Sequence, residues 1–238
     1  MGKNAENPES RGDSQGQAKT HRAFIAVALP AHVTGALGEL QQKLRDFGIR
    51  MKYTDPENIH LTLKFLGDIR ASDVEAINAQ LSAAAGGFSP MTLSAAGMGA
   101  FPSIRRPRVL WTGVAGQRQR LEALQQEVEN AMAAIGFERE NRRFSGHFTL
   151  GRFKGKADAD RLADAIRQFG DFATDEFTAD AVHLIGSRVA NHGTIVADGG
   201  VVSMLVGERV LVKERGSVVS ARIENPSGKD GIFFTPVW

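Results

Sequence analysis

The chain contains no cysteine among its 238 residues. This absence excludes disulfides, thiolate metal sites and a cysteine nucleophile, and it fits a reducing compartment. Residues 1–20 contain almost no large apolar side chain, so they lack the apolar core of a signal peptide. The longest apolar run near the start, residues 23–29, is too short to span a bilayer. We therefore expect a cytoplasmic protein that makes no membrane contact.

A strong charge of either sign is also lacking, because the formal net charge is +2 and the sequence pI is about 9.0. Mildly basic proteins can bind polyanions, but many equally basic proteins do not. The hydrophobic fraction of 42% and the charged fraction of 24% are ordinary for a soluble globular protein. The length allows one large domain or two small lobes.

The composition divides the chain into three regions. Residues 1–20 are polar and aperiodic, which is typical of a disordered N-terminal tail. Residues 21–198 alternate short apolar runs with helical apolar spacing and are predicted to form the folded domain. Residues 199–238 are rich in Gly and Val and have no counterpart in the first half. They are predicted to form an atypical C-terminal extension with one or two hairpins.

Apolar periodicity in the folded region predicts strands and helices in a repeated order. The predicted strands cover residues 23–29, 60–66, 91–96, 108–114, 147–153 and 177–185, and the predicted helices cover 31–47, 72–84, 118–135 and 158–169. A capping box of Ser72 and Glu75 is expected to begin the second helix. Each half reads strand, helix, histidine strand, helix, strand, which indicates a duplicated unit.

The two histidine strands carry the same short motif. The motifs are His60-Leu61-Thr62-Leu63 and His147-Phe148-Thr149-Leu150. Residues two apart in a strand face the same side, so His60 and Thr62 are expected on one face and Phe65 in the core. The same alternation places His147 and Thr149 on one face. Two such units facing each other would surround a cleft with two imidazoles and two hydroxyls.

Such a cleft suits the opening of a cyclic phosphodiester. One neutral histidine accepts a proton from water, and the other, as imidazolium, donates a proton to the leaving sugar oxygen. The threonine hydroxyls would stabilise charge on the non-bridging oxygens. A zinc site at His60 and His147 would need a third His, Asp or Glu, where each motif offers Thr instead. We therefore predict no metal.

These motifs resemble those of the two-histidine (2H) phosphoesterase superfamily, and most closely the LigT-like RNA 2′,3′-cyclic phosphodiesterases. The resemblance rests on residues 60–67 and 147–152, on the opening strand at 22–27, on Phe101-Pro102 and on residues 107–111. It covers residues 22–188. It implies an α+β fold of two interleaved lobes, with two antiparallel sheets and outer helices facing a central cleft.

The resemblance also implies an activity, namely hydrolysis of RNA 2′,3′-cyclic phosphate ends to 2′-phosphomonoesters without a cofactor. His60 would donate a proton to the 3′ oxygen, and His147 would activate water. The implied partners are RNA or oligonucleotide ends, and we expect a monomer. The chain departs from the family at Ser145-Gly146, where a proline is common before the histidine, and in the unrelated segment from Val189 onward.

Further residues are candidates for substrate binding. Lys64 shares the strand parity of His60, whereas Arg152 has the opposite parity to His147 and would need a bulge to face the site. Phe101 or Phe144 could stack on a base, and Arg106 belongs to a basic cluster that could contact phosphates. A solvated surface is an equally good interpretation of any one arginine.

Three other functions are compatible with the sequence. The chain could act on another small cyclic phosphate, or it could join RNA ends through a 2′–5′ bond. It could also be a non-catalytic protein that binds RNA ends, although both histidines and both threonines are present. A panel of substrates separates these possibilities.

Overall fold

The computed structural model describes residues 20–189, 195–196, 201–205, 209–214 and 217–222. Apart from Thr20, the predicted tail lies outside the described residues. The helices are α1 (Ala31–Asp46), α2 (Val74–Gly86), α3 (Arg118–Ala134) and α4 (Ala159–Phe169). The strands are β1 (Thr20–Ala28), β2 (Lys52–Tyr53), β3 (His60–Arg70), β4 (Met91–Phe101), β5 (Val109–Gly116), β6 (His147–Arg152), β7 (Phe177–Ala179), β8 (Ala181–Val189), β9 (Ile195–Val196), β10 (Val201–Leu205), β11 (Arg209–Glu214) and β12 (Ser217–Arg222).

The predicted helices and strands are confirmed, with three local differences. The capping box is wrong: α2 begins at Val74 after a short 3-10 turn, and the Asp73 side chain accepts from the Arg70 amide instead. The short strand β2 was not predicted. The strand predicted over residues 177–185 is interrupted at Asp180, because β7 pairs with β4 whereas β8 pairs with β1.

The sheet shows the duplication directly. Its central order is β8-β1-β3-β6-β5-β4, so the strands of one half mirror those of the other about the β3–β6 contact. Each half gives its last strand to the other, since β4 pairs with β5 and β8 pairs with β1. The expected α+β class is confirmed. The expected division into two sheets is not, because the β3–β6 pairing joins both halves in one hydrogen-bonded path.

The helices bury their apolar residues in a common core. In α1 these residues recur every three or four positions, which places them on one face of the helix. They are Val33, Leu37, Leu40 and Leu44, each at most 1% exposed. The corresponding face of α3 carries Leu121, Leu124, Val128 and Met132. The helices cover one face of the central strands, and the histidines and threonines of the two motifs lie on the other face.

The described strands of the C-terminal region extend the sheet. Strand β10 pairs with β8, β11 with β10, and β12 with β11, all antiparallel. The predicted hairpins are therefore confirmed in the backbone, while the connecting residues lie outside the described part. No described helix has the length and apolar character needed to cross a membrane.

Candidate active site

The two histidine motifs meet at the centre of the sheet. Leu61 and Phe148, the residues that follow the two histidines, are direct partners across β3 and β6. In an antiparallel pair this register sets His60 beside Thr149 and Thr62 beside His147. Leu61 and Phe148 are fully buried, while the four motif side chains are half-buried on the opposite face. The structure thus brings together all four residues predicted from the motifs.

Both imidazole rings are oriented in the same way. His60 Nδ1 lies 2.9 Å from the carbonyl oxygen of Asn58, and His147 Nδ1 lies 2.7 Å from that of Ser145. A carbonyl can only accept, so in each ring Nδ1 carries a proton and Nε2 is left for the substrate. His147 makes this contact although Gly146 precedes it.

Burial and a shared cation lower the pKa of both histidines. Desolvation is the main cause of the lowered pKa of His60, and the positive charges of His147 and Arg152 add to it. Desolvation also dominates for His147, again with a contribution from Arg152. The Asn58 and Ser145 carbonyls act in the opposite direction by stabilising the imidazolium. Both rings and the Arg152 guanidinium therefore lie within electrostatic reach of one another.

Aromatic rings surround the histidines. Phe24 stacks on His60 with ring centroids 4.5 Å apart, and Phe101 meets His147 edge-on at 5.0 Å. Trp111 packs against Phe101 at 5.0 Å and lies 6.3 Å from His147. Phe101 is thus placed at the site as predicted. Phe24 and Trp111 were not predicted as site residues, because an apolar strand residue with no motif gives no signal beyond core packing.

Each motif strand contains a bulge, which changes the face of the sheet on which the residues after the motif lie. Opposite β1 the pairing passes from Thr62 to Lys64 and skips Leu63, and opposite β5 it passes from Thr149 to Gly151 and skips Leu150. Each bulge shifts the alternation by one residue. The bulge anticipated for Arg152 is therefore confirmed, and this residue is exposed within electrostatic reach of both histidines.

The bulge at Leu63 makes the predicted positions of Phe65 and Lys64 wrong. Phe65 does not enter the core: it is 69% exposed and pairs across the strands with Phe24, which stacks on His60. Lys64 does not face the site, because its Nζ lies 2.7 Å from Glu129 Oε2 and the side chain is 2% exposed. The simple alternation of strand faces fails at Leu63.

Arg106 is exposed on the loop between β4 and β5, where its amide closes a turn on Ser103. That loop is anchored next to the site, since the Arg108 amide donates to the Phe101 carbonyl over 2.7 Å. Phe144, a possible base contact from the sequence, packs against the core instead. Among the described residues, no group of three His, Asp or Glu side chains could hold a metal ion.

Comparisons with known proteins point to one family. The family model described as LigT-like phosphoesterase matches two successive segments, residues 27–111 and 113–196. An RNA 2′,3′-cyclic phosphodiesterase of Aeropyrum pernix is 31% identical over 68% of this chain and 92% of its own length. One of Methanothermobacter thermautotrophicus is 31% identical over 74% and 95%, respectively.

Solved structures share the fold. The crystal structure of TT0787 of Thermus thermophilus superposes with a TM-score of 0.60 at 24% identity, covering 78% of this chain and 97% of that one. E. coli LigT in apo form gives a TM-score of 0.56 at 23% identity, covering 78% and 94%. The two matches of the family model agree with the two halves of the sheet.

Proposed function

Because this chain belongs to the LigT-like phosphoesterase family, we propose that it hydrolyses RNA 2′,3′-cyclic phosphate ends to 2′-phosphomonoesters without a metal. One observation carries the proposal: two imidazoles with free Nε2 atoms and two threonine hydroxyls share one face of the β3–β6 pair. The two relatives that are 31% identical are RNA 2′,3′-cyclic phosphodiesterases, which supports the substrate.

The proposed reaction needs one proton donor and one proton acceptor. His147 Nε2 takes a proton from water as the water oxygen attacks phosphorus. The bond from phosphorus to the 3′ oxygen breaks, and the His60 imidazolium donates a proton to that oxygen. The product carries a 2′-phosphate and a free 3′-hydroxyl. This division of roles follows the family resemblance.

The surrounding groups support these roles. In the proposed reaction Thr62 and Thr149 donate to the non-bridging oxygens, and Arg152 adds a positive charge as negative charge develops on them. The β3–β6 register and the effect of Arg152 on His60 support these roles. The lowered pKa of His147 keeps its ring neutral and able to accept a proton. The lowered pKa of His60 opposes its role as an acid, but the charge of a bound phosphate favours its protonated form.

The test is turnover of a 2′,3′-cyclic phosphate by wild type and by two single variants. We expect His60→Ala and His147→Ala each to lower kcat by roughly 10²–10⁴-fold, the usual contribution of a general acid or base. His32→Ala, which alters an exposed histidine on α1, is the control and should retain full activity. EDTA should have no effect, and phosphorus NMR should identify a 2′-phosphate.

Other results would assign another function. Full activity of either site variant would contradict the mechanism. Turnover of small cyclic phosphates but not of RNA ends would indicate another substrate of the same chemistry. Tight binding of RNA ends without turnover would indicate a binding protein, and a joined product from an RNA with a 5′-hydroxyl would indicate ligation.

A further inference from the structure

A buried ion pair joins the first motif strand to helix α3. Lys64, four residues after His60 on β3, places its Nζ 2.7 Å from Glu129 Oε2. The two side chains are 2% and 7% exposed, whereas the other four ion pairs of the described residues lie at the surface. Replacing such a buried pair with apolar side chains is often neutral for stability. Stability alone therefore does not account for it.

The pair also holds the segment that leads into the second motif. Residues 135–146 lie between α3 and β6 and contain no helix or strand. Lys64 Nζ donates to the carbonyl of Glu138 over 2.8 Å, and Glu129 Oε2 accepts from the amide of Glu140 at 3.5 Å. Between them, Arg139 donates to Asn130 Oδ1 on α3 over 2.9 Å. Three successive residues are thus fastened to β3 and α3.

This segment delivers the carbonyl that orients His147. Ser145 lies seven residues after Glu138, and its oxygen accepts the bond from His147 Nδ1. The matching carbonyl for His60 belongs to Asn58, which ends the short 3-10 helix Pro56–Asn58. That helix is closed by its own backbone hydrogen bonds. The carbonyl beside His60 therefore has local support, and the one beside His147 depends on the tertiary contacts of its segment.

We propose that Lys64 and Glu129 are positioning residues, which hold residues 138–146 so that the Ser145 carbonyl fixes the tautomer and direction of His147. The proposal rests on the proposed function, in which His147 acts as the base. Gln125 completes the arrangement, since its Nε2 lies 3.4 Å from the Leu63 carbonyl and 3.5 Å from Glu129 Oε1. The strand of one histidine thereby controls the geometry of the other.

The competing explanation is hydrophobic anchoring. Phe137 and Phe144, near the two ends of the segment, both pack against the core. If their packing is sufficient, the segment keeps its conformation without the ion pair. The two explanations differ in one measurable way, because the ion pair, unlike the two phenylalanine rings, hydrogen-bonds the backbone of Glu138 and Glu140.

The experiment replaces both charges at once, so that no unpaired buried charge remains. The variant is Lys64→Met together with Glu129→Leu. Leu162→Ala, a fully buried substitution on α4, is the control for a general loss of stability. Hydrogen exchange of residues 137–146 and side-chain nitrogen NMR of the histidines are measured alongside kcat and KM on a 2′,3′-cyclic nucleotide.

We expect faster exchange in residues 137–146 and a mixture of tautomers at His147, while His60 keeps its Nδ1 proton as an internal reference. A misplaced base should lower kcat roughly tenfold or more with little change in KM. Leu162→Ala should lower the melting temperature without these changes. If the double variant does not fold, Lys64→Gln together with Glu129→Gln is measured in its place, because it also leaves no unpaired buried charge, with the same changes expected at smaller size.

A folded variant in which the tautomer of His147 and the exchange of its segment match wild type would overturn the proposal. The NMR and exchange readings do not depend on turnover. If the wild type fails to open any cyclic phosphate but the readings change as expected, the proposed function fails and the positioning role stands.

Discussion

Phe65 and Arg152 occupy equivalent positions in the two halves of the sheet. Each lies five residues after its histidine, and each follows a bulge at the leucine that ends the motif. Phe65 pairs across the strands with Phe24, and Arg152 pairs with Val109 at the corresponding place on β5. One side of the site therefore offers an exposed aromatic ring and the other a cation.

The exposed ring predicts a contact with the base of the substrate. Stacking of a base on an aromatic side chain contributes about 1–3 kcal/mol, so Phe65→Ala should raise KM for adenosine 2′,3′-cyclic phosphate about 5- to 160-fold. The melting temperature should change little because the ring is 69% exposed. Glycerol 1,2-cyclic phosphate, which has no base, is the matched substrate. An equal rise in KM on both substrates would contradict a stacking role.

The positive charge of Arg152 leads us to expect that removing it shifts the pH dependence of kcat/KM. Arg152 lowers the pKa of both histidines, so Arg152→Gln should raise both pKa values. Both limbs of the profile of kcat/KM against pH then move to higher pH, and kcat/KM at the optimum should fall by at least about tenfold because a stabilising positive charge is removed. Arg118→Gln, at the start of α3, is the control. A profile that keeps the same two limbs as wild type would show that the Arg152 charge does not reach the histidines.

The loop between β4 and β5 predicts salt-dependent binding of RNA. Residues 76–121 contain no Asp or Glu, and the loop that carries Arg105, Arg106 and Arg108 begins next to Phe101. Removing one cation that neutralises a phosphate of a single strand should reduce the slope of log affinity against log salt by about 0.7. Arg105→Ala with Arg106→Ala should therefore reduce it by up to about 1.4.

The matched control for this loop removes two charges elsewhere. Lys43→Ala with Arg118→Ala changes exposed cations on α1 and α3 that form no ion pair among the described residues. Its slope should equal that of wild type. If the two double variants give the same slope, the arginines of the loop affect RNA binding only through the net charge of the protein and not through contacts with phosphates.

Because His183 is buried, we expect the protein to lose stability in mild acid. Burial lowers its pKa to about 4, although Asp180 acts in the opposite direction. The unfolded chain therefore binds a proton below about pH 6.5, which the folded chain does not take up until about pH 4, so stability falls across that interval. From pH 7 to 4.5 this site should cost about 2–3 kcal/mol.

Urea unfolding at the two pH values measures that cost. His183→Gln should lose less stability than wild type between pH 7 and 4.5, and the difference should be about 2–3 kcal/mol. His32→Gln, at an exposed position on α1, should lose as much as wild type. If His183→Gln is equally acid-sensitive, His183 is not the group responsible.

Local signals predicted most of the fold. The α1 and α3 helices begin and end within one residue of their predicted bounds, because their apolar residues recur at helical spacing and a glycine follows closely. The paired motifs identified His60, Thr62, His147 and Thr149. These features depend on residues close together in the sequence.

The remaining features depend on strand pairing over long distances. A strand with period two predicts Phe65 in the core and Lys64 at the site, and the bulge at Leu63 reverses both. The bulge is defined only against β1, and neither strand signals it alone. Gly151 occupies the position in β6 that Lys64 occupies in β3. A Cβ atom on Gly151 would lie 2.8 Å from the carbonyl oxygen of Lys52, which is too close for a side chain. That contact comes from β2, which is too short to predict.

The exchange of β4 and β8 between the halves has a consequence for the descent of the chain. A half-length protein of this design would hold one histidine motif, and its site would be complete only where two copies met about a dyad through the Leu61–Phe148 position. In such a homodimer both copies of every position are identical by necessity. Joining the halves in one chain removes that constraint, so the two halves can carry different residues at equivalent positions, as they do with Phe65 and Arg152.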